Sequence, residues 1–254
     1  MTFRRDLWKK LSFFDDRTPP WPCPHCSGAT HLIKDKLSVS QSSDLPQSIR
    51  YITDEESNSL GYIQYRFTGI IVCDDCSLKI SVLGYAHAVD QGRHPVNAAY
   101  LRKAGKVLFP VFFDPPLQIF SVAESCPREI RIQLDNSFAL YWNDRASCAN
   151  KIRTTIELLL DHQNVPKPTG ITLHERIQMF KSQNELLGSF LESAKWIGNI
   201  GSHGIDSLSK IELLDGFELL HHVLSHLYVD QDKSLDRLIE TSQVINRNKG
   251  RKPK

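Results

Sequence analysis

Cys23-Pro24-His25-Cys26 and Cys73-Asp74-Asp75-Cys76 decide how the N-terminal part of this chain folds. Four thiols in two close pairs suit a tetrahedral ion, because each short turn aims two sulfurs at one point and the second pair completes the shell. Zinc is the ion such a set selects, and its role is structural. With every coordination position filled by protein, no place is left for a substrate or an activated water. His25 and His31 stand near enough in sequence for either to replace one sulfur.

The runs flanking the second pair, Tyr62–Val72 (YIQYRFTGIIV) and Leu78–Val89 (LKISVLGYAHAV), are rich in β-branched and aromatic residues and read as strands. A Cys-x-x-Cys turn between two strands is how a zinc ribbon presents its sulfurs, so residues 20–95 are expected to form a ribbon-like β module. Between the pairs lies a polar insertion (SVSQSSDLPQS, 38–48) and then the acidic turn Asp54–Asn58, which together predict an extra hairpin. Residues 96–126 read as an extended connector. Its apolar run Val107–Phe113 is broken by Pro110 and followed by Pro115 and Pro116, and is expected as a strap against the following domain.

From Pro127 to 246 the pattern turns helical. Pro127 suits a first helical position ahead of Ile130, Leu134 and Phe138. A second helix is expected over 145–163, with Ala149, Ile152, Ile156 and Leu159 as its buried stripe. Asn164–Gly170 reads as a loop, and shorter helices are expected over 173–180 and 186–197. Gly198, Gly201 and Gly204 would each cost about 1 kcal/mol inside a helix, so the chain is expected to turn there. Ser209 and Glu212 form a capping box that restarts the helix, with Leu213, Phe217, Leu220, Leu224 and Leu227 on one apolar face. A last amphipathic helix is expected over 234–245.

The 254 residues can bury a substantial core, and 41% hydrophobic with 24% charged residues is ordinary for a soluble globular protein. No apolar run is long enough to span a bilayer, which argues against a membrane partner, and the charge-broken N-terminus is no secretory signal. The expected compartment is the cytoplasm. Cys126 and Cys148 read as buried free thiols. Net charge is only +2, but basic residues gather at the ends: Arg4, Arg5, Lys9 and Lys10 in the aromatic segment 1–19, and Arg247, Lys249, Arg251, Lys252 and Lys254 in a tail, 247–254, expected to be disordered. Such ends can touch the phosphates of RNA or DNA.

Three constellations bear on chemistry. Glu218, His222 and His226 have metal-stripe spacing, but helical geometry points them away from the apolar face and toward water, while His221 lies nearer the core. Asn199 and His203 sit in the glycine-rich stretch 198–204, where they would face a groove or cap a helix corner. Arg153 and Glu157 form an i, i+4 pair in the weaker order for helix stabilisation, which favours a tertiary role such as holding that glycine stretch.

The Cys-Pro-x-Cys pair, the helix carrying Arg153-Thr-Thr-Ile-Glu157-Leu and the segment Gly198-Asn199-Ile-Gly-Ser-His203-Gly204 together resemble the bacterial family called domain of unknown function 4145. Its helical domain shows an Arg-x-x-x-Glu helix and a Gly-Asn-x-x-x-His-Gly segment, often behind a zinc ribbon. The resemblance covers about residues 107–230. That family is similar to the HEPN helical bundles, many of them dimeric ribonucleases of toxin and anti-phage systems that use an Arg-x(4–6)-His motif. Carried over, His203 is the motif histidine and Asn199 the polar residue before it. The arginine would stand at position 196, 197 or 198, where this chain has Trp196, Ile197 and Gly198; Lys195 lies one residue further off and lacks a planar guanidinium. The resemblance therefore implies an α+β chain, a zinc ribbon followed by an all-α HEPN-like bundle. It would bind nucleic acid or a partner, or a second copy through the bundle, in a defence or stress system without catalysis. The alternatives are a metal-independent ribonuclease using His203 with Arg153, Glu157 and Asn199, and a purely structural adaptor.

Overall fold

Strict alternation builds the sheet. In Tyr65–Cys73, Phe67, Gly69, Ile71 and Cys73 are buried while the residues alternating with them are partly or fully exposed, the period-2 signature of a half-buried strand. The computed structural model describes residues 3–14, 18–41, 51–54, 59–62, 65–88, 106–203 and 208–228. In chain order its elements are α1 (Arg5–Trp8), β1 (Phe13–Phe14), β2 (Thr30–Leu32), a 3-10 turn (Lys34–Lys36), β3 (Ser38–Gln41), β4 (Tyr51–Asp54), β5 (Ser59–Tyr62), β6 (Tyr65–Cys73), β7 (Lys79–Ala88) and β8 (Lys106–Asp114). Five helices follow: α2 (Arg128–Leu140), α3 (Arg145–His162), α4 (Leu173–Lys181), α5 (Glu185–His203) and α6 (Lys210–Tyr228). This is the expected α+β order, an antiparallel sheet ahead of a helical region.

The sheet runs β1-β8-β7-β6-β2, with β3 also on β6, and the expected extra hairpin is present as the separate pair β4–β5. Residues Lys106–Asp114, expected as a strap, are a full ladder strand between β7 and β1. Pro110 made the stretch look unfit for a sheet. It is accommodated because β1 pairs only with Val107 and Leu108, and because the register shifts at Leu83/Gly84, opposite Pro110. Gly84 is required there: a Cβ would stand 2.7 Å from Phe67 Cε1 and 2.8 Å from Pro110 Cα.

The helices bury the expected stripes: Ile130, Leu134 and Phe138 on α2, Ala149, Ile152, Ile156 and Leu159 on α3, and Leu213, Phe217, Leu220 and Leu224 on α6. The Ser209–Glu212 capping box starts α6, with Glu212 N–H donating to Ser209 Oγ at 3.2 Å and Ser209 N–H to Glu212 Oε2 at 2.7 Å. The glycine stretch does not end its helix. α5 continues to His203, because Gly198 lies against α3, where a Cβ would be 3.0 Å from Arg153 Cβ and 3.2 Å from Ala149 O. The glycine permits close helix packing, and that outweighs its poor propensity. The helix expected over 234–245, the tail 247–254 and Gly204 lie outside the described residues.

An aromatic column joins sheet to bundle. Trp21 stands edge-on to Phe13, Phe113 and Trp142, with ring centroids 5.7, 5.4 and 5.4 Å away, and Tyr141 continues to Phe217 at 6.1 Å. Tyr141 Oη also donates to Trp8 O at 2.9 Å, fastening α1 to the same column. Cys126 and Cys148 are buried free thiols, as expected, and burial pushes them up to about 11 and about 12. Among the described residues no helix is long and apolar enough to cross a membrane.

Candidate metal centre and the polar stripe of the bundle

The two knuckles are built alike. Cys23 N–H donates to Gly28 O at 2.9 Å and Ser27 N–H to Cys23 O at 2.9 Å; in the second, Cys73 N–H donates to Leu78 O at 3.0 Å and Ser77 N–H to Cys73 O at 3.1 Å. Ser27 and Ser77 both adopt φ of 61°, the left-handed residue that closes each turn. Pairing of Thr30 with Cys73 in the β2–β6 ladder and an Asp74 N–H to Ala29 O bond of 2.9 Å clamp one knuckle against the other.

That clamp brings four sulfurs together. Their Sγ atoms all lie within 4.8 Å of one another, with Cys23–Cys76 at 3.6 Å and Cys26–Cys73 at 3.4 Å. A tetrahedron with metal–sulfur bonds of about 2.3 Å has edges of roughly 3.8 Å, so the donors fit one ion with small adjustments. Cys23, Cys26, Cys73 and Cys76 are positioned to bind a metal. Backbone N–H groups of Cys76 and Asp75 outweigh burial and bring the Cys73 thiol down to about 7, while against the Gly28 N–H the neighbouring sulfurs push Cys26 up to about 12, so without an ion the cluster holds its protons unevenly. His25 contributes its backbone N–H, which donates to Cys23 Sγ at 3.4 Å, and the His31 ring pairs through Nδ1 with Asp74 Oδ1 at 2.5 Å. Neither histidine is in the four-sulfur cluster.

In the bundle, Arg153 ties two helices together. Its Nη1 donates to Asn199 Oδ1 on α5 at 3.0 Å, and its Nε to Glu157 Oε1 on α3 at 3.4 Å. Arg153 and Glu157 remain 38% and 39% exposed, so ligands can reach them. Position 203 follows one helical turn beyond Asn199 on α5; the His203 side chain lies outside the described residues. Continuation of the helix places Lys195, Asn199 and position 203 at i, i+4 and i+8, on one face. Lys195 lies one residue outside the Arg-x(4–6)-His spacing, yet along the helix it is aligned with Asn199. This lysine is 4% exposed, its Nζ 3.2 Å from His174 Nδ1 and 3.8 Å from the Trp196 ring centroid. Burial lowers its pKa; Glu192 opposes that and the Arg153 charge adds to it.

Glu218, His222 and His226 face water as expected, Glu218 being paired to Arg5 at 2.9 Å, and among the described residues the four cysteines form the only metal-ligating group. His221 is packed 5.1 Å from the Phe120 ring, and its burial lowers its pKa. Arg5 also pairs with Asp215 at 2.5 Å, so part of the basic N-terminal segment is engaged on α6.

Fold and site define a class: an antiparallel sheet closed by a four-cysteine centre and packed on an α-helical bundle. Two family models match parts of this arrangement. Residues 135–246 are similar to Domain of unknown function (DUF4145), a span that includes Arg153, Glu157, Lys195, Asn199 and His203. Residues 11–113 are similar to Domain of unknown function (DUF8608), a span that includes all four clustered cysteines and reaches into β8. No curated protein and no solved structure matches the chain.

Proposed function

We propose that the metal is zinc, that its role is structural, and that the protein acts by binding nucleic acid through its HEPN-like bundle, without catalysis. Thiolates favour zinc over the harder divalent cations, and four of them leave no open coordination position. One observation carries the binding half of the reading. Arg153 on α3, 38% exposed, sets a guanidinium 3.0 Å from Asn199 on α5, whose amide offers a further hydrogen-bonding group. A cytoplasmic setting in a bacterial defence or stress system follows from the HEPN resemblance and belongs to the same proposal.

A second reading is favoured by the Arg153–Asn199 bond. A guanidinium supplied by α3, one turn from position 203, would substitute for the arginine missing from α5 in a metal-independent ribonuclease. The two readings separate on one panel. Protein purified without chelator should hold one zinc per chain by mass spectrometry of metals. It should bind labelled RNA or DNA with affinity that falls as salt rises, by roughly 0.7 in log K per phosphate contact for each tenfold rise in salt for a single strand. Arg153→Ala should flatten that slope, and wild type should leave the strand intact. Zinc-free protein refutes the metal assignment, and lack of nucleic-acid binding refutes the ligand, leaving a protein partner. Cleavage abolished by His203→Ala establishes the ribonuclease instead.

A further inference from the structure

The sheet turns one face to the core, through Phe67, Ile71, Ile80, Val82, Ala86, Leu108 and Phe113, and leaves the other without a packed helix among the described residues. Ladder register sorts that outer face into rows. Arg66, Tyr85 and Phe109 stand side by side on β6, β7 and β8, and Thr68, Leu83 and Phe112 form the next row. Leu83 and Phe112 are 42% and 41% exposed, unusual for large apolar side chains on central strands. A shallow depression of about 250 Å³ opens beside them, floored by Thr68, Ile70 and Ser81, with Lys36 and Asp114 at its edge.

We propose that this outer face is a stacking surface for single-stranded nucleic acid. Phe112 and Tyr85 would receive bases, and Arg66 and Lys36 the phosphates. The proposal rests on the nucleic-acid reading above and names the face that takes the bases. Charge is the first argument. Arg66 is exposed within the aromatic row and Lys36 lies at the depression, against the single carboxylate of Asp114 there. Interleaved aromatic and basic side chains are what a polyanion with exposed π-faces requires, whereas lysine is depleted in protein–protein interfaces. Spacing is the second argument. Successive same-face positions along a strand lie about 7 Å apart, twice the roughly 3.4 Å rise of a duplex. The rows therefore match bases splayed from an unstacked strand. A flat face also cannot enter a duplex groove as a helix or ribbon does.

The test uses the full chain with its metal and fluorescein-labelled RNA of about 12 nucleotides, within the usual range of such sites, against the same sequence as a duplex. Phe112→Ala should weaken single-strand binding roughly 5- to 100-fold, the range for losing one stacked base, and leave duplex binding unchanged. Arg66→Ala should weaken it and flatten the salt dependence, while Arg66→Lys retains most of it; thermal melting of each variant identifies any loss that comes from unfolding. If wild type binds no nucleic acid, the functional reading falls and this inference with it. If wild type binds and Phe112→Ala and Arg66→Ala bind equally well while Arg153→Ala does not, this inference alone is overturned. A change of oligomeric state on Phe112→Ala, with RNA binding intact, also overturns it and makes the face a contact between copies.

Discussion

Replacing Gly198 by leucine tests the least expected feature of the bundle, a helix that runs on through Gly198 and Gly201. In a helix interior leucine is favoured over glycine by about 0.8 kcal/mol. Even the first carbon would meet Arg153 Cβ at 3.0 Å and Ala149 O at 3.2 Å, and three more carbons have no room without moving α3. Overpacking of this kind costs about 1–3 kcal/mol. Separation of the helices would also break the Arg153–Asn199 bond of 3.0 Å, a partly exposed contact contributing about 1 kcal/mol. The expected net loss is about 2 kcal/mol, a fall of roughly 4–8 °C in melting temperature for a chain of this size. Gly198→Ala adds only a methyl, which needs a few tenths of an ångström of give and gains helix propensity, so it should stay within about 1 kcal/mol of wild type. Denaturant titration followed by circular dichroism reads both. Leucine without effect would mean that α5 does not press on α3 at this point. Equal losses for alanine and leucine would point to a backbone conformation that only glycine adopts, and would refute the continuous helix.

Three further outcomes follow from the same contacts. Cys73→Ser, or a strong chelator, should release the metal and lower thermal stability together, because binding free energy at such a centre is folding free energy; unchanged melting after proven metal loss would count against a structural role. Trp142→Ala should cost about 3–5 kcal/mol, since Trp142 packs on both Trp21 and Phe113 at centroid distances of 5.4 and 4.8 Å, and a loss under 1 kcal/mol by denaturant titration would contradict that packing. His221 has its pKa lowered by burial, so between its folded value and the ordinary value near 6.5 the unfolded chain binds more protons. Its contribution is fully present above that window and is lost as pH falls through it; His221→Phe should flatten this part of the stability–pH curve, and an unaltered curve would show that the imidazole titrates alike in the folded and unfolded chains.

What could be read in the residues was local. The Cys-x-x-Cys turns, the β-branched and aromatic runs Tyr62–Val72 and Leu78–Val89, and the Ser209–Glu212 capping box each declare themselves within a few positions, and the fold holds them as two knuckles, the strands Tyr65–Cys73 and Lys79–Ala88, and the start of α6. So could have been the Thr172–Glu175 capping box that opens α4, which went unread. The features that eluded the sequence depend on a neighbour far along the chain. Pro110 is tolerated because β1 is short and β7 shifts register opposite it, and neither is visible from 107–113. Gly198 is helical because Ala149 and Arg153 lie against it. Lys195 falls one residue outside the Arg-x(4–6)-His spacing, yet on the continuous helix it stands four residues before Asn199, a relation legible in the i, i+4, i+8 positions. The stretch suggested chain reversal where the fold uses close approach, and the bundle's polar stripe is assembled by that approach.

The metal centre and the bundle are linked through Trp21, two residues before Cys23. Trp21 is fully buried, and its carbonyl accepts the Thr30 hydroxyl at 2.7 Å, on the strand that carries the first knuckle into the sheet. Its ring meets Phe113 of β8 on one side and Trp142 of the α2–α3 connection on the other. A shift of the first knuckle on metal loss therefore cannot stay within the turn; it must move an indole wedged between sheet and helices, where packing is dense and a small displacement is costly. The four sulfurs thus stabilise more than the loops that carry them. In the apo protein, Trp142 and Tyr141 should lose their tertiary environment along with the sheet, giving one cooperative transition in near-ultraviolet dichroism. A bundle that retained its aromatic signal while the sheet melted would show that the Trp21 contact transmits nothing.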